Sequence, residues 1–248
     1  MRGDGVTVVE GRKGEMVSVG EIVATVLGRL GRALSGVRVL VTAGGTREPI
    51  DSVRFVGNRS SGKMGLAVAR EAARMGAEVT VVAANVERVE PGVRWIPVET
   101  FGELCEEVSR QAAEADALVM AAAVSDFTPA EPVREKIRRK ELLTIEFKAT
   151  EDILKGVRDK NPDLFMVGFA ATHGDPVGDA REKLRSKGVD LVIGNDISQP
   201  GIGFGSDENE VYVVGWKEER FVPQAGKEEV ARAILDVLVH EMNEEKRR

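Results

Sequence analysis

The sequence predicts an α/β fold: a Rossmann-like, doubly wound, mainly parallel sheet with an irregular flap excursion. Two observations predict this class. Short runs of apolar, β-branched residues alternate with helical segments along the chain. The runs also lack polar alternation, which is typical of parallel strands covered on both faces. Ligands of such sheets bind beyond the carboxyl ends of the strands, so the loops at those ends are the ones to inspect.

The elements follow one another from residue 37 onward. A first strand at 37–42 precedes a helix at 62–75, whose apolar residues share one face. Further strands are predicted at 78–83, 95–98, 117–121, 165–169, 189–193 and 210–216, and helices at 101–115, 151–159, 179–187 and 227–241. The flap excursion covers 127–148, with two prolines, a basic run and a β-segment at 142–148. Residues 1–36, with a helix at 21–34, form an N-terminal extension or linker, and 37–248 form the main domain.

Composition and charge exclude several classes of function. The net charge is −6 and the pI is about 5.3, the opposite of what non-specific nucleic-acid binding needs. Cys105 is the only cysteine, so an intrachain disulfide is impossible, and its place on an apolar stripe predicts a core residue. No membrane span, secretory signal or zinc-site spacing is found in the sequence, so we expect a cytoplasmic protein.

Two glycine-containing loops lie where the sheet would present a ligand. Gly44 and Gly45 follow the first strand, where they let the backbone approach a ligand closely, although a tight turn explains them equally well. Residues 57–65 lead into the first helix and include Ser60 and Ser61. Free N–H groups at a helix N-terminus bind anions, and this run is richer in donors than a serine N-cap requires. We therefore favour an anion site.

Small residues end the strand at 117–121. Ala121 and Ala122 leave room for a base or a sugar beside the backbone. Asp126 could accept hydrogen bonds from a ribose or help to hold a cation, and capping of the next turn is its structural alternative.

Two groups of cations complete the candidates. The basic run 136–140 is either a solvated loop, as charge runs usually are, or a flap that becomes ordered around a triphosphate. Lys183 and Lys187 lie four residues apart on one predicted helix, where like charges repel slightly. A bound polyphosphate would remove that cost, but a cation at Lys187 is also favoured by the helix C-terminus.

Taken together, six blocks of the sequence resemble phosphopantothenate–cysteine ligase, the ligase half of the bifunctional decarboxylase/synthetase of coenzyme A biosynthesis. The blocks occur in the order that the family shows, and the strings at 58–65 and 195–200 are the most specific. The flap departs from the family, because its usual Lys-x-Lys-Lys reads Lys136-Ile137-Arg138-Arg139 here. The six blocks are 42–51, 57–65, 121–127, 136–139, 168–171 and 195–209.

The resemblance implies a nucleotide-dependent ligase domain that joins 4′-phosphopantothenate to L-cysteine. CTP would be the co-substrate, with Mg²⁺: an acyl-cytidylate would form with release of pyrophosphate, and the amine of L-cysteine would then displace CMP. A homodimer is implied, with the segment 195–216 and its following strand expected to reach the partner, as is a fused or separate phosphopantothenoylcysteine decarboxylase. No nucleic acid and no membrane are expected to take part.

The resemblance also implies roles for particular residues. Asn58 and Lys136 would be catalytic: Asn58 would donate a hydrogen bond to the developing oxyanion, and Lys136 would neutralise phosphate charge as pyrophosphate departs. Ser60, Ser61 and Gly62 would hold the substrate phosphate, and the ligands of Mg²⁺ stay unassigned. The nucleotide would contact Gly44, Gly45, Ala121, Ala122, Asp126, Lys136, Thr150, Asp152, Ile153, Phe169, Lys183 and Lys187.

Two other classes of protein fit parts of the sequence. A dinucleotide-binding oxidoreductase would need Gly-x-Gly-x-x-Gly and an acidic residue at the end of the second strand. That strand instead ends in Ala83, Ala84 and Asn85. A nucleotide-sensing or scaffold domain would suit the sheet but would leave Asn58 and Lys136 without a role, and it would release no pyrophosphate.

Overall fold

A computed structural model describes residues 32–87, 90, 92–139, 142–198 and 205–245. The strands are β1 (Arg38–Gly44), β2 (Arg47–Pro49), β3 (Phe55–Gly57), β4 (Glu78–Ala84), β5 (Arg94–Val98), β6 (Ala117–Met120), β7 (Phe127–Pro129), β8 (Phe147–Ala149), β9 (Phe165–Thr172), β10 (Leu191–Asp196), β11 (Glu208–Gly215) and β12 (Glu219–Gly226). The helices are α1 (Lys63–Arg74), α2 (Phe101–Ala112), α3 (Ile153–Lys160), α4 (Pro176–Lys187) and α5 (Lys227–Glu245).

The central sheet has eight strands in the order β12-β11-β10-β9-β6-β1-β4-β5. The strands from β5 across to β10 are all parallel, and β11 and β12 add an antiparallel hairpin at one edge. Counted among the parallel strands alone, the order is 3-2-1-4-5-6, the doubly wound arrangement. The predicted fold class is confirmed, and the winding reverses between β1 and β6.

Helices cover both faces of the sheet, as the unbroken apolar strands require. Along β1, Val39, Val41 and Ala43 pack into one core with α1 and α5, whereas Leu40 packs into the other with α2, α3 and α4. This alternation along a strand places every side chain of β1 after Arg38 in a buried layer.

Polar side chains define where two of the helices begin. Thr100 forms a capping box with Glu103 at α2, and the buried Glu48 accepts a hydrogen bond of 2.8 Å from the next backbone N–H, at Phe101. Helix α4 begins before the predicted residue 179, because Asp175 accepts from the N–H of Gly178 and a proline occupies the first turn.

Sequence periodicity misses the excursions from the sheet and the edge strand β12. The three-residue strands β2 and β3 pair with each other, as do β7 and β8, and of the predicted segment 142–148 only 147–148 lie in a strand. The predicted helix at 21–34 lies almost entirely outside the described residues, although Leu34 is buried in the core. Among the described helices, none combines the length and apolarity needed to cross a bilayer.

Candidate active site

A cleft of about 610 Å³ opens at the carboxyl ends of β6, β9 and β10, beside the point between β1 and β6 where the winding of the sheet reverses. Such switch points are where open α/β sheets bind ligands. Most of the residues singled out in the sequence line this cleft, whereas Gly44, Gly45 and Lys136 do not. Those that line it are Asn58, Ser60, Ser61, Gly62, Ala121, Ala122, Asp126, Thr150, Asp152, Ile153, Phe169, Lys183 and Lys187.

The Gly44–Gly45 turn supports the cleft instead of lining it. Gly44 has φ +88°, and a Cβ there would lie 1.9 Å from the carbonyl oxygen of Ala84. The turn pairs with the loop after β6, since the N–H of Ala123 donates to the carbonyl of Gly44 over 2.8 Å. A Cβ on Gly45 would approach Asn58 O and Ser60 Cβ at 3.3 Å. The two glycines thus allow both cleft loops to pack against this turn.

Two buried threonines hold the loop after β6 in place. Thr42 Oγ1 accepts a hydrogen bond of 3.0 Å from the N–H of Ala122, and Thr46 Oγ1 accepts one of 3.0 Å from that of Ser125. Sequence reasoning did not assign either threonine a role. A buried polar residue at the end of an apolar strand is the signal that could have found them.

The start of α1 leaves an anion site open. Gly62 is the N-cap in the left-handed conformation, at φ +74°, and it supplies no side-chain cap. The first helical bond runs from the N–H of Leu66 to the carbonyl of Gly62, and residues 63–65 all line the cleft. Capping by a serine is therefore not what the structure shows. The N–H groups of the first turn lie at the cleft, where the helix dipole favours an anion.

Asn58 bridges the two loops that form this end of the cleft. Its Nδ2 donates a hydrogen bond of 2.8 Å to the carbonyl of Val124. A primary amide has a second N–H and a carbonyl oxygen, so Asn58 keeps one donor and one acceptor for a ligand while its position is fixed.

Asp126 is placed by the turn before α3. The N–H of Thr150 donates to the carbonyl of Asp126 over 3.0 Å, and Thr150 Oγ1 donates to the carbonyl of Ser125 over 2.8 Å. Asp126 itself is exposed, and its carboxylate accepts no side-chain or cap hydrogen bond within the described part of the chain. Asp126 thus lines the cleft, and within the described residues its carboxylate does not serve as a turn cap.

The far wall of the cleft carries the two lysines of α4. Lys187 forms an ion pair of 2.5 Å with Asp152, and Lys183 donates to the carbonyl of Phe169 over 2.5 Å. Burial, with a smaller effect of Lys187, lowers the pKa of Lys183. For Asp152 burial opposes ionisation, but the bonds from Lys187 and from the Lys155 N–H outweigh it and lower the pKa. Both lysines are thus held facing the cleft by fixed partners.

Two further cations line the cleft: Lys63, which belongs to the donor-rich run 57–65, and Lys227, which the sequence reading left out of the site. Lys63 donates to Asp207 over 2.7 Å and to the carbonyl of Gly205 over 2.9 Å. Lys227 donates to the carbonyl of Ser206, and its pKa is lowered by burial and by the charge of Lys63. Each lysine is the first residue of its helix, where a cation opposes the helix dipole. A cation at a helix position that the dipole disfavours is therefore the sequence signal that marks these two lysines.

Lys136 lies on the flap, which borders the cleft. Its side chain is exposed on an irregular segment between β7 and β8. Phe127 in the first of these strands and Ala149 in the second both line the cleft. The flap therefore starts and ends at the cleft rim, with its cations outside the cleft wall.

The doubly wound sheet and the cation-lined cleft at its switch point define a Rossmann-like α/β protein with a site suited to a polyanion. A family model supports a more specific statement. The chain belongs to the DNA/pantothenate metabolism flavoprotein C-terminal domain family, whose model matches residues 34–242.

Known proteins of this kind are similar over most of the chain. The bifunctional protein CoaBC of coenzyme A biosynthesis from Mycobacterium tuberculosis (strain H37Rv) is 44% identical over 221 residues, which are 83% of this chain and 53% of that protein. The chain thus spans about half the length of the curated relatives it matches.

Solved structures share the fold. A crystal structure of the C-terminal domain of CoaBC has a TM-score of 0.74 at 34% identity and covers 86% of this chain and 99% of that one. A Cab2 variant in complex with phosphopantothenate-cysteine has a TM-score of 0.71 at 16% identity, with 91% of this chain and 92% of that one covered. At that identity the second structure supports the fold alone.

Proposed function

We propose that this chain is a phosphopantothenate–cysteine ligase that joins 4′-phosphopantothenate to L-cysteine by way of an acyl-cytidylate. The observation that carries the proposal is the convergence of separate segments on one cleft. Asn58, the open start of α1, Asp126 and the lysines of α4 line the same 610 Å³ cavity. The family and the CoaBC relatives support the coenzyme A pathway.

In the first step, a carboxylate oxygen of 4′-phosphopantothenate attacks the α-phosphorus of CTP, and pyrophosphate leaves. The protein provides charge neutralisation and positioning, with no protein nucleophile. Lys183 and Lys187 stand on the nucleotide side of the cleft, and we assign Lys136 to the departing pyrophosphate. The open N–H groups of α1, with Ser60 and Ser61, are assigned to the substrate phosphate.

In the second step, the amine of L-cysteine attacks the acyl carbon, and CMP leaves. Negative charge develops on the acyl oxygen, and the free N–H of Asn58 is the donor we assign to it. The bond to Val124 holds this amide in place before the reaction, so little reorganisation is needed as charge develops.

The donor set in the cleft fits a Mg²⁺ that binds together with the nucleotide. Magnesium is usually held by one or two carboxylates, waters and substrate phosphates. The exposed carboxylate of Asp126 is one such ligand at the cleft, and the described residues contain no group of three metal-binding side chains. Bound Mg²⁺ would neutralise charge on the triphosphate, and Asp126 is the residue we assign to it.

Partners belong to the same proposal. We infer a homodimer, a fused or separate phosphopantothenoylcysteine decarboxylase and a cytoplasmic location. The expected segment 195–216 contributes β11, and the strand that follows it is the edge strand β12, with Trp216 and Phe221 exposed on this hairpin. The other exposed large apolar side chains of the described residues lie on the two small sheets and the flap, which we propose as the dimer surface: Val53, Phe55, Phe127, Val133, Leu142, Leu143 and Phe147. A single-chain mass in light scattering would reject the homodimer, and an unchanged dimer in Phe147→Asp would reject this surface.

The function is tested with a nucleotide panel, 4′-phosphopantothenate and L-cysteine. We expect pyrophosphate release with CTP and 4′-phosphopantothenate, and product only after L-cysteine is added. Asn58→Ala should still release pyrophosphate but form product roughly 100-fold more slowly, as expected for loss of one oxyanion donor. Asn161→Ala, an asparagine at the C-terminus of α3, is the matched control and should behave as the wild type. Release of no pyrophosphate from any nucleotide would refute the ligase.

A further inference from the structure

A buried carboxylate lies in the turn between β2 and β3. The side chain of Asp51 is fully shielded from solvent, and it forms an ion pair with Arg54. Its Oδ1 accepts hydrogen bonds of 2.9 and 2.8 Å from the N–H groups of Val53 and Arg54. These local bonds are those of an ordinary Asx turn and need no function to explain them.

Two other bonds leave the turn and reach the flap. Oδ2 of Asp51 accepts a hydrogen bond of 3.0 Å from the N–H of Ile137, which lies 86 residues further along the chain. Nη2 of Arg54 donates over 3.0 Å to the carbonyl oxygen of the same residue. One ion pair therefore binds both backbone polar groups of Ile137, a contact that folding of the turn alone does not require.

A second tie joins the same two segments. The N–H of Val133 donates to the carbonyl of Ile50 over 3.0 Å. Together the two ties bracket residues 134–136, so only this short tip of the flap lies between fixed points. Lys136 is bonded directly to the held N–H of Ile137, although its own side chain is exposed.

Holding the flap in this way has an energetic reason. Residues 131–139 belong to no helix or strand, and ordering each such residue on ligand binding costs about 1–2 kcal/mol of backbone entropy. An anchor that is already formed in the folded protein removes part of that cost. The hydrogen bond from Arg54 holds the pKa of Asp51 far below its ordinary value, so the anchor stays ionised at neutral pH.

We propose that Asp51 and Arg54 are positioning residues that anchor the flap at Ile137 and so place Lys136 against the nucleotide phosphates. The ligase role of Lys136 rests on the proposed function, but the anchor itself does not. Neither residue contacts the cleft, and both act through the flap backbone.

The kinetic test is Asp51→Asn, which keeps the shape of the side chain but removes the charge and one acceptor. We expect pyrophosphate release to slow by about 10–100-fold, with the KM for CTP changed less than about threefold, because positioning is lost and binding is kept. In a Lys136→Gln background the same change should slow release by less than about threefold, because the two residues act as one unit. Arg54→Lys should show the same pattern, and Asp163→Asn, an exposed loop carboxylate, is the control.

The physical test needs no substrate. We expect trypsin to cleave after Arg138 faster in Asp51→Asn than in the wild type, and amide exchange at Ile137 to speed up, while exchange in β1 stays unchanged. Unchanged cleavage and exchange would overturn the anchor. Kinetic effects of Asp51→Asn and Lys136→Gln that multiply in the double variant would overturn positioning through Lys136. A wild-type protein without pyrophosphate release would reject the proposed function, while cleavage and exchange would still decide on the anchor.

Discussion

Lys183 and Lys187, which form the α4 wall of the cleft, and Lys136, on the flap, are held in opposite ways. Lys183 and Lys187 stand on a regular helix, and each is bonded by its own side chain to a fixed neighbour, Phe169 or Asp152. Lys136 stands on an irregular segment, and what is fixed is the backbone of the next residue. The α4 wall therefore presents charge in place, while the flap leaves the lysine side chain exposed.

Under the ligase function that we propose, this difference would give the two regions different tasks. A preformed cation pair would lower the free energy of nucleotide binding, whether or not the reaction proceeds. An exposed lysine beside an anchored backbone could follow the pyrophosphate as its charge develops. We therefore expect changes in the α4 wall to act on KM, and changes in the flap to act on kcat. The following predictions test that division between binding and catalysis.

The largest effect is expected for the flap cation. Lys136→Gln should slow pyrophosphate release by more than about 100-fold, because a charge that stabilises the transition state is lost. The KM for CTP should change little. Stopped-flow detection of pyrophosphate measures the rate of its release, and initial rates at varied CTP concentration measure the KM. Arg134→Gln, two residues away on the same exposed flap, is the control. A raised KM with an unchanged kcat would show that Lys136 contributes to CTP binding and not to catalysis.

A smaller effect, on KM and not on kcat, is expected for the α4 wall. Lys187→Met should raise the KM for CTP by about 10–50-fold, because it removes a cation and leaves the Asp152 carboxylate unpaired near the triphosphate. The kcat should stay within about threefold. Lys160→Met removes a cation from the end of α3 and serves as the control. A fall in kcat larger than the rise in KM would contradict the division.

A severalfold change in the affinity for CTP is expected across the alkaline pH range. Burial lowers the pKa of Lys183, so this lysine loses its proton, and with it its charge, at a lower pH than an ordinary lysine. Lys183 should contribute its full share to the affinity for CTP at pH values below that pKa, and the affinity should weaken as the pH rises through it. Titration calorimetry across the alkaline range measures this change. Lys183→Arg should remove the alkaline weakening because arginine stays charged, and persistence of the weakening in that variant would assign it elsewhere.

The smallest effect on activity is expected from a change that lowers folding stability without touching the α4 wall or the flap. Thr100→Ala removes the capping box of α2, on the side of the sheet away from α1, and should cost about 1 kcal/mol of folding stability. The denaturant midpoint should fall while kcat and KM stay at wild-type values. A change in KM would show that stability of α2 is coupled to the cleft.

Most of the sheet, its helices and most of the cleft loops could be predicted from the amino-acid sequence alone. Unbroken apolar strands can be buried only between two helical layers, and the glycines and small residues after them mark the carboxyl edge. Lys183 and Lys187 could be placed on one face because a helix repeats every 3.6 residues. These are local properties of the chain, so no tertiary information was needed.

Which loops support the cleft and which line it became clear only from the folded structure. Gly44 and Gly45 carry no signal that separates a ligand turn from a packing turn, and the difference arises from the loops at 58–62 and 121–125 that cover them. The same holds for Asp51, whose bond to Ile137 joins residues 86 positions apart. Contacts over such distances follow from how the chain folds back on itself, and no local pattern records them.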